Sequence, residues 1–138
     1  MPDLPLTGGC MCGAVRYEVS AALESAGYCH CKRCQRRTGA AASPQARVAP
    51  GSFRIVRGEE LVRAWRPPEG FEKAFCSECG SALFSRHRDD PTVISVRLGT
   101  FDGDPGIRPS TRQFLSSAAE WEPIPDDGIP RYDERRPA

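Results

Sequence analysis

The sequence predicts a small, mainly β (all-β) domain, and three observations lead to this fold class. The chain has 138 residues, close to the commonest size of a single domain. Glycine and proline occur 13 times each, about a fifth of the chain together, so turns interrupt it too often for many long helices. Short apolar or alternating runs recur between these turns, which is typical of strands that pair in an antiparallel sheet.

The predicted elements follow from these runs in chain order. Alternating or apolar residues predict strands over 14–19, 27–31, 42–48, 53–58, 61–66, 72–75, 82–86 and 93–98, with a further candidate at 112–115. The helical turn predicted over 33–38 ends at Gly39, and its basic residues suit a helix C-terminus. Residues from 126 onward are polar and proline-bearing, so we expect them to fray. We place a single domain over 7–132 and a flexible tail over 133–138.

The bulk composition indicates a soluble globular protein, with 39% hydrophobic and 27% charged residues. A formal net charge of +1 gives no long-range attraction to nucleic acid or to an anionic membrane. No apolar run approaches the roughly 20 residues of a membrane helix, and no secretory signal is visible at the start. We therefore expect a cytoplasmic location, where thiols stay reduced.

Seven cysteines fall into three tight clusters: Cys10-Met11-Cys12, Cys29-His30-Cys31-Lys32-Arg33-Cys34, and Cys76-Ser77-Glu78-Cys79. Neighbouring cysteines on one strand are poor disulfide partners, whereas closely spaced thiolates can converge on a single ion. The odd number also argues against a disulfide framework, which would leave one thiol over. The pattern therefore favours metal binding.

The first and third clusters predict a structural zinc site. On an extended segment Cys10 and Cys12 point to one side, and the turn Cys76-x-x-Cys79 before Gly80 resembles a zinc knuckle. Four thiolates close a tetrahedral zinc site, which would tie the start of the chain to its middle. The alternative is two buried pairs of free cysteines that pack as small apolar groups.

The central cluster predicts a second, open zinc site. Cys29 and Cys31 share one side of an extended segment, the following turn brings Cys34 to them, and His30 faces away. Three thiolates leave a coordination position free, as in catalytic zinc sites, so we expect two zinc ions per chain. Alternatively His30, Asp102 or Glu78 completes a second structural site. A redox C-x-x-C motif fits less well, because it expects a βαβ setting.

Basic residues adjoin the open site. We take Arg33, Arg36 and Arg37 as candidate substrate-binding residues, because arginine binds carboxylates in bidentate fashion. These cations could equally be solvated or offset thiolate charge. The basic turn from Lys32 to Arg37 could also contact a protein or nucleic acid.

The aromatic residues carry less information. We expect Trp65 and Trp121 in the core or in a pocket wall. Four phenylalanines are expected in the core: Phe53, Phe75, Phe84 and Phe114.

The cysteine motifs and their flanks resemble the glutathione-dependent formaldehyde-activating enzyme family, which includes centromere protein V. The resemblance covers about residues 7–132 and rests on segments beyond the cysteines: Gly8-Gly9 and Gly13, Gln35 to Ala40, Phe75, Gly80-Ser81, Gly99 to Asp102, and Trp121 to Pro125. The chain departs from the family pattern at Arg112-Gln113-Phe114 and Ala118-Ala119-Glu120. Members often have a His-Ile-Phe run at the first position, and a basic residue, Ala and Pro at the second.

The resemblance implies a β-tent fold of antiparallel sheets, with a structural zinc on the four outer cysteines and a catalytic zinc on the three central ones. It also implies a carbon–sulfur lyase activity whose partners are a small-molecule thiol, glutathione, and a small aldehyde, formaldehyde. Neither a membrane nor a nucleic-acid partner is expected. Two alternatives stay open, namely a non-catalytic binding module that uses the basic turn, and a zinc-stapled scaffold without chemistry.

Overall fold

The computed structural model describes residues 2–137 and consists mainly of β-strands. A single α-helix, α1, spans Lys32–Thr38 in these residues. Ten strands are numbered in chain order: β1 Leu6–Gly9, β2 Arg16–Val19, β3 Ser25–Cys29, β4 Ser43–Arg47, β5 Phe53–Arg57, β6 Val62–Trp65, β7 Glu72–Cys76, β8 Ala82–Arg86, β9 Ile94–Arg97 and β10 Arg112–Gln113. The mainly β fold class is thus confirmed.

The strands form two sheets. Strands β1, β2 and β5 make a small antiparallel sheet, and the other seven make a large one in the order β10-β3-β4-β9-β8-β7-β6. All the strand pairs in residues 2–137 are antiparallel except β3 with β10, which pair in parallel. The sequence predicted antiparallel pairing throughout, and this one edge departs from it.

The main core lies between the small sheet and one face of the large sheet. Tyr17 of β2 is 1% exposed, and its ring lies 5.2 Å from that of Phe53, which in turn lies 4.9 Å from Phe84 of β8. Burial of aromatic rings dominates the stability of such a core. The Tyr17 hydroxyl forms a hydrogen bond with Thr100 Oγ1 at 2.6 Å, so its burial leaves no polar atom without a partner.

The opposite face of the large sheet is polar although it is largely covered. In β9, Ile94 and Val96 enter the core, whereas the buried Ser95 and Arg97 belong to the other face. This follows from the two-residue period of a strand, which sends alternate side chains to opposite faces. This face of the large sheet therefore carries ordered, buried polar side chains, and the candidate site lies on it.

Residues 127–136 pack along β10, although their polar, proline-bearing sequence predicted that they would fray. Arg112 exchanges backbone hydrogen bonds with this segment, donating to Pro130 O and accepting from Tyr132 N. Its buried guanidinium also forms an ion pair with Asp127 at 2.8 Å. A buried guanidinium needs such a partner, and this anchors the segment in the structure.

Element boundaries differ from the predictions by a few residues, and β1 was not predicted at all. The sequence of β1 contains one apolar residue, Leu6, so it lacks an alternating signal. Helix α1 ends as predicted, because Gly39 adopts the left-handed conformation (φ 67°) that a helix C-cap favours. None of the helices in residues 2–137 has the length and apolar character that a membrane crossing requires.

Candidate metal centres and substrate cleft

The first and third cysteine clusters meet in space. The sulfur atoms of Cys10, Cys12, Cys76 and Cys79 all lie within 4.8 Å of one another. The separations are 3.6 Å between Cys10 and Cys12 and 4.0 Å between Cys12 and Cys76, far beyond the roughly 2.05 Å of a disulfide bond. Tetrahedral ligation with zinc–sulfur bonds of about 2.3 Å requires sulfurs about 3.8 Å apart. The four thiols therefore have the spacing of a metal site.

Local backbone structure prepares these thiols for a cation. The Val15 amide donates to Cys10 Sγ at 3.2 Å. The side chain and backbone of Ser81, followed by the backbone amide of Cys12, lower the pKa of Cys79 to about 5. Gly80 adopts φ 78° and donates to Cys76 O at 2.8 Å, which closes the knuckle turn. Amides that stabilise a thiolate also stabilise it as a metal ligand.

The central cluster forms a second group, of three thiols. Cys29 ends β3, Cys31 is the N-cap residue of α1, and Cys34 lies in its first turn. Their sulfurs lie within 4.8 Å of one another. The Cys34 amide donates to Cys31 Sγ at 3.3 Å, so the start of the helix fixes the geometry of the group.

His30, Asp102 and Glu78, the predicted alternatives for a fourth ligand, lie outside this group. His30 is buried, and its Nε2 lies 3.3 Å from Arg112 Nη1. Burial, and then the charge of Arg112, lowers the pKa of His30. Asp102 instead pairs with Arg16. Within residues 2–137 the three-cysteine group therefore offers three sulfur atoms to an ion and no fourth donor.

A buried arginine, Arg97, and a half-buried one, Arg37, test whether a metal ion fits this group. Arg97 is 6% exposed, donates to Gln45 and Ser85, and has no carboxylate partner in residues 2–137, where its Nε is also without an acceptor. Arg37 donates to Ser43 Oγ at 2.8 Å, while its buried Nε and Nη1 have no acceptor in the same residues. Buried charges require compensation nearby.

The three thiols supply that compensation when they are ionised. Hydrogen bonds with Cys29 and Cys31, and then the charge of Arg37, lower the pKa of Cys34. Hydrogen bonds with Cys31 and Cys34, and then burial, raise the pKa of Cys29. Three thiolates on a divalent ion carry one net negative charge, which matches the positive surroundings. The donor set and the arginines behind it therefore fit a thiolate-bound metal ion.

A cleft of about 560 Å³ opens at the three cysteines. Its walls come from helix α1, from the polar face of the large sheet and from the C-terminal part of the chain: Arg33, Gln45, Arg47, Lys73, Gln113, Phe114 and Arg135. A cavity of this size is typical of sites for small organic ligands. The cleft therefore gives a small molecule direct access to the three thiols.

The structure places one of the three arginines that were predicted to bind substrate at the cleft. Arg33 lines the cleft and donates to Glu69 O at 3.0 Å. All three arginines line a neighbouring groove, and Arg36 and Arg37 do not reach the cleft. Since Arg33 and Arg37 are held by hydrogen bonds, the basic turn does not present one continuous row of free cations.

The aromatic predictions were only partly right. Phe84 is buried in the core, but Phe114 is half-buried and lines the cleft, where a left-handed backbone (φ 59°) places it. Trp65 is 50% exposed and lies beside Arg33, whose guanidinium carbon is 5.3 Å from the ring. Trp121 is 65% exposed, so it belongs neither to the core nor to the described cleft wall.

Sequence reasoning missed Arg47, Lys73, Gln113 and Arg135 as cleft residues. The first two carried a signal, because each alternates with buried apolar neighbours in its strand. Polar residues in such positions point to the opposite face of the sheet. Arg135 carried no signal, because its position depends on how the C-terminal segment folds back.

The fold and the two cysteine groups define a mainly β protein with two candidate thiolate metal centres, one of which faces a cleft. A family model described as glutathione-dependent formaldehyde-activating enzyme matches residues 5–117. The match covers most of the chain, which therefore belongs to this family, and the resemblance seen in the sequence is confirmed.

A solved structure shares the fold. The crystal structure of a Rhodobacter sphaeroides protein is similar over 92% of this chain and 99% of its own, with 26% identity and a TM-score of 0.57. Family membership supports a glutathione-related formaldehyde-activating function.

Proposed function

We propose that this protein is a zinc-dependent carbon–sulfur lyase that acts on adducts of glutathione, or a related thiol, with a small aldehyde such as formaldehyde. Cys29, Cys31 and Cys34 hold the catalytic ion in this proposal. The four outer cysteines, Cys10, Cys12, Cys76 and Cys79, hold a structural ion. The observation that carries the proposal is the three-thiol group at the wall of a ligand-sized cleft.

The difference between three and four ligands supports distinct roles for the two sites. Four thiolates complete a tetrahedral zinc ion, whereas three leave a position that a small molecule can take. Thiolate donors favour zinc over hard cations such as magnesium or calcium. The proposed setting is a reducing, cytoplasmic one, because oxidation would consume the same thiols.

The reaction joins a thiol to an aldehyde and runs in both directions. In the forward direction sulfur attacks the carbonyl carbon, a carbon–sulfur bond forms, and the carbonyl oxygen takes up a proton. The reverse step breaks this bond, and the thiol sulfur regains the proton. Bound zinc supplies an open coordination position that lowers the pKa of a thiol or polarises a carbonyl.

The residues of the chain position the reactants. Arg47 and Lys73 lie on the sheet face beside the cysteines, where their charges attract the carboxylates of a peptide thiol. Gln113 and Phe114 also line the cleft, where the Phe114 ring adds an apolar surface beside the reactants. Holding the thiol and the aldehyde together in such a cleft converts a bimolecular reaction into an effectively unimolecular one.

The proposal is tested by metal analysis combined with NMR exchange measurements on glutathione and formaldehyde at equilibrium, which separate catalysed from spontaneous exchange. Wild-type protein should bind two zinc ions and accelerate exchange. Cys34→Ser should keep one ion and lose the acceleration. Lys32→Ala, an exposed change in the same helix, serves as the matched control and should behave as wild type.

Exchange that continues at the wild-type rate in Cys34→Ser protein with a single zinc would refute the proposed role of the three-thiol group. Normal exchange by wild-type protein without any bound metal would refute the dependence on zinc.

A further inference from the structure

The cleft at the three cysteines continues into a second cavity. This cavity, of about 220 Å³, shares five lining residues with the first: Gln45, Arg47, Ser95, Gln113 and Arg135. Arg136 lines the second cavity but not the first. The two cavities therefore form one elongated cleft, which starts at the thiols and ends beside the C-terminal segment.

Cations dominate the charged residues of this cleft. Arg33, Arg47, Lys73 and Arg135 line the first cavity, where Glu69 is the acidic residue. None of these four cations belongs to an ion pair within residues 2–137. Because the cations outnumber the acidic residues here, the local potential is positive, and an anionic ligand would relieve the repulsion between the cations.

Arg47 is placed to bind such a ligand. Its Nε donates to Ser95 Oγ at 3.1 Å, and its guanidinium carbon lies 5.5 Å from the centre of the Phe71 ring. These contacts fix the plane of the guanidinium, and its terminal nitrogens make no hydrogen bond within residues 2–137. Burial, followed by the charge of Arg136, lowers the pKa of Arg47, while the charge of Glu24 acts in the opposite direction.

Arg135 reaches the cleft from a part of the chain that the family model does not match. The match ends at residue 117, whereas Arg135 follows the segment that packs along β10. The Phe114 amide donates to Glu134 O at 2.9 Å, and the Arg136 amide donates to Gln113 Oε1 at 3.1 Å. These two bonds flank Arg135 and hold its backbone at the cleft.

We propose that Arg47 and Arg135 form a carboxylate-binding subsite that makes the enzyme select thiols with a carboxylate remote from sulfur, with Arg135 as the specificity-determining residue. This inference rests on the proposed function, because it assumes that a thiol occupies the cleft. Two guanidinium groups can bind one carboxylate through charge-assisted, bidentate hydrogen bonds.

In glutathione the glycine carboxylate is the better partner for this subsite. The glutamyl carboxylate stands next to an ammonium group, which the cations of the cleft would repel. The glycine carboxylate has no such neighbour. The subsite should therefore distinguish glutathione from its glycine ester, in which this charge is removed.

Isothermal titration calorimetry on the zinc-loaded protein tests the subsite, with S-methylglutathione and its glycine ethyl ester as probes. Arg135→Ala should weaken binding of S-methylglutathione about tenfold, as expected for loss of a charge-assisted hydrogen bond, and should change binding of the ester less than about twofold. The matched control is Arg131→Ala. Arg131 lies in the same segment, donates to Pro125 O, and lines neither cavity, so both affinities should stay as in wild type.

The methylated probes cannot react, so binding is measured apart from turnover. Equal weakening of both probes by Arg135→Ala, unchanged binding of both, or no measurable binding of S-methylglutathione to wild-type protein would overturn the subsite. Carboxylate-dependent binding without any catalysed exchange would refute the proposed function and leave the subsite standing. The two failures are therefore distinguishable.

Discussion

Replacing Cys76 by serine should remove the largest single source of stability that we assign to the fold. Cys76 is 0% exposed, ends β7, and faces the thiols that follow β1. An ion at this site therefore ties the small sheet to the large one. Structural zinc binds with roughly 10–16 kcal/mol, whereas a whole domain has a net stability of only about 5–15 kcal/mol.

The magnitude of the effect follows from the number of ligands. One of four ligands accounts for roughly 2.5–4 kcal/mol of such a binding energy. The serine hydroxyl left in a buried site costs about another 1–3 kcal/mol. For a domain of this size each kcal/mol lowers the Tm by about 4 °C, so Cys76→Ser should melt roughly 14–28 °C below wild type.

Circular dichroism melting curves together with zinc analysis measure this effect. Ser77→Ala, an exposed change in the same knuckle turn, should melt as wild type does. Cys34→Ser should lose one ion with a smaller change in Tm, because its three thiols all lie in one short segment. The reasoning fails if Cys76→Ser melts within a few degrees of Ser77→Ala, or if metal-free wild-type protein melts at the normal temperature.

Two further predictions concern the charged contacts around the site. Arg97→Met should increase the rate at which a chelator removes one of two zinc ions by about tenfold, because the buried cation behind the thiolates is lost; an unchanged rate would contradict this. Arg112, and then the Ile129 amide, lowers the pKa of Asp127, so this carboxylate stabilises the fold above the unfolded pKa of about 4 and stops doing so as pH falls through its lower folded pKa. Asp127→Asn should therefore reduce the loss of Tm as the pH falls below about 4, and an unchanged dependence of Tm on pH in this acidic range would count against it.

The cysteine groups could be predicted because their information is local. Spacing alone brings Cys29, Cys31 and Cys34 together through one strand end and one helical turn. The meeting of Cys10 with Cys76 is long-range, yet counting ligands pointed to it, because two thiols do not complete a zinc site. The assignment of roles to these cysteines stays a prediction.

The cleft could not be predicted in the same way, because its walls depend on sheet order. Arg47 in β4 and Lys73 in β7 line the same cleft because both strands belong to the large sheet, where β9 and β8 lie between them. The alternation of polar and apolar residues showed which face each side chain takes, but not which strands are neighbours. The position of Arg135 depends on the C-terminal segment that packs along β10. The polar sequence of this segment predicted instead that it would fray.

The near-neutral charge of the whole chain and the positive cleft are consistent with each other. The net charge of +1 determines the field at long range, so this field gives little attraction to a distant anion. Within the cleft the relevant distances are shorter than the Debye length of about 8 Å at physiological salt, and there individual charges act without full screening. Arg97 and Arg37 lie behind the thiolates and offset their charge, so the cations in front of them stay available. A small anionic thiol would therefore meet a positive surface that the whole-chain charge does not reveal.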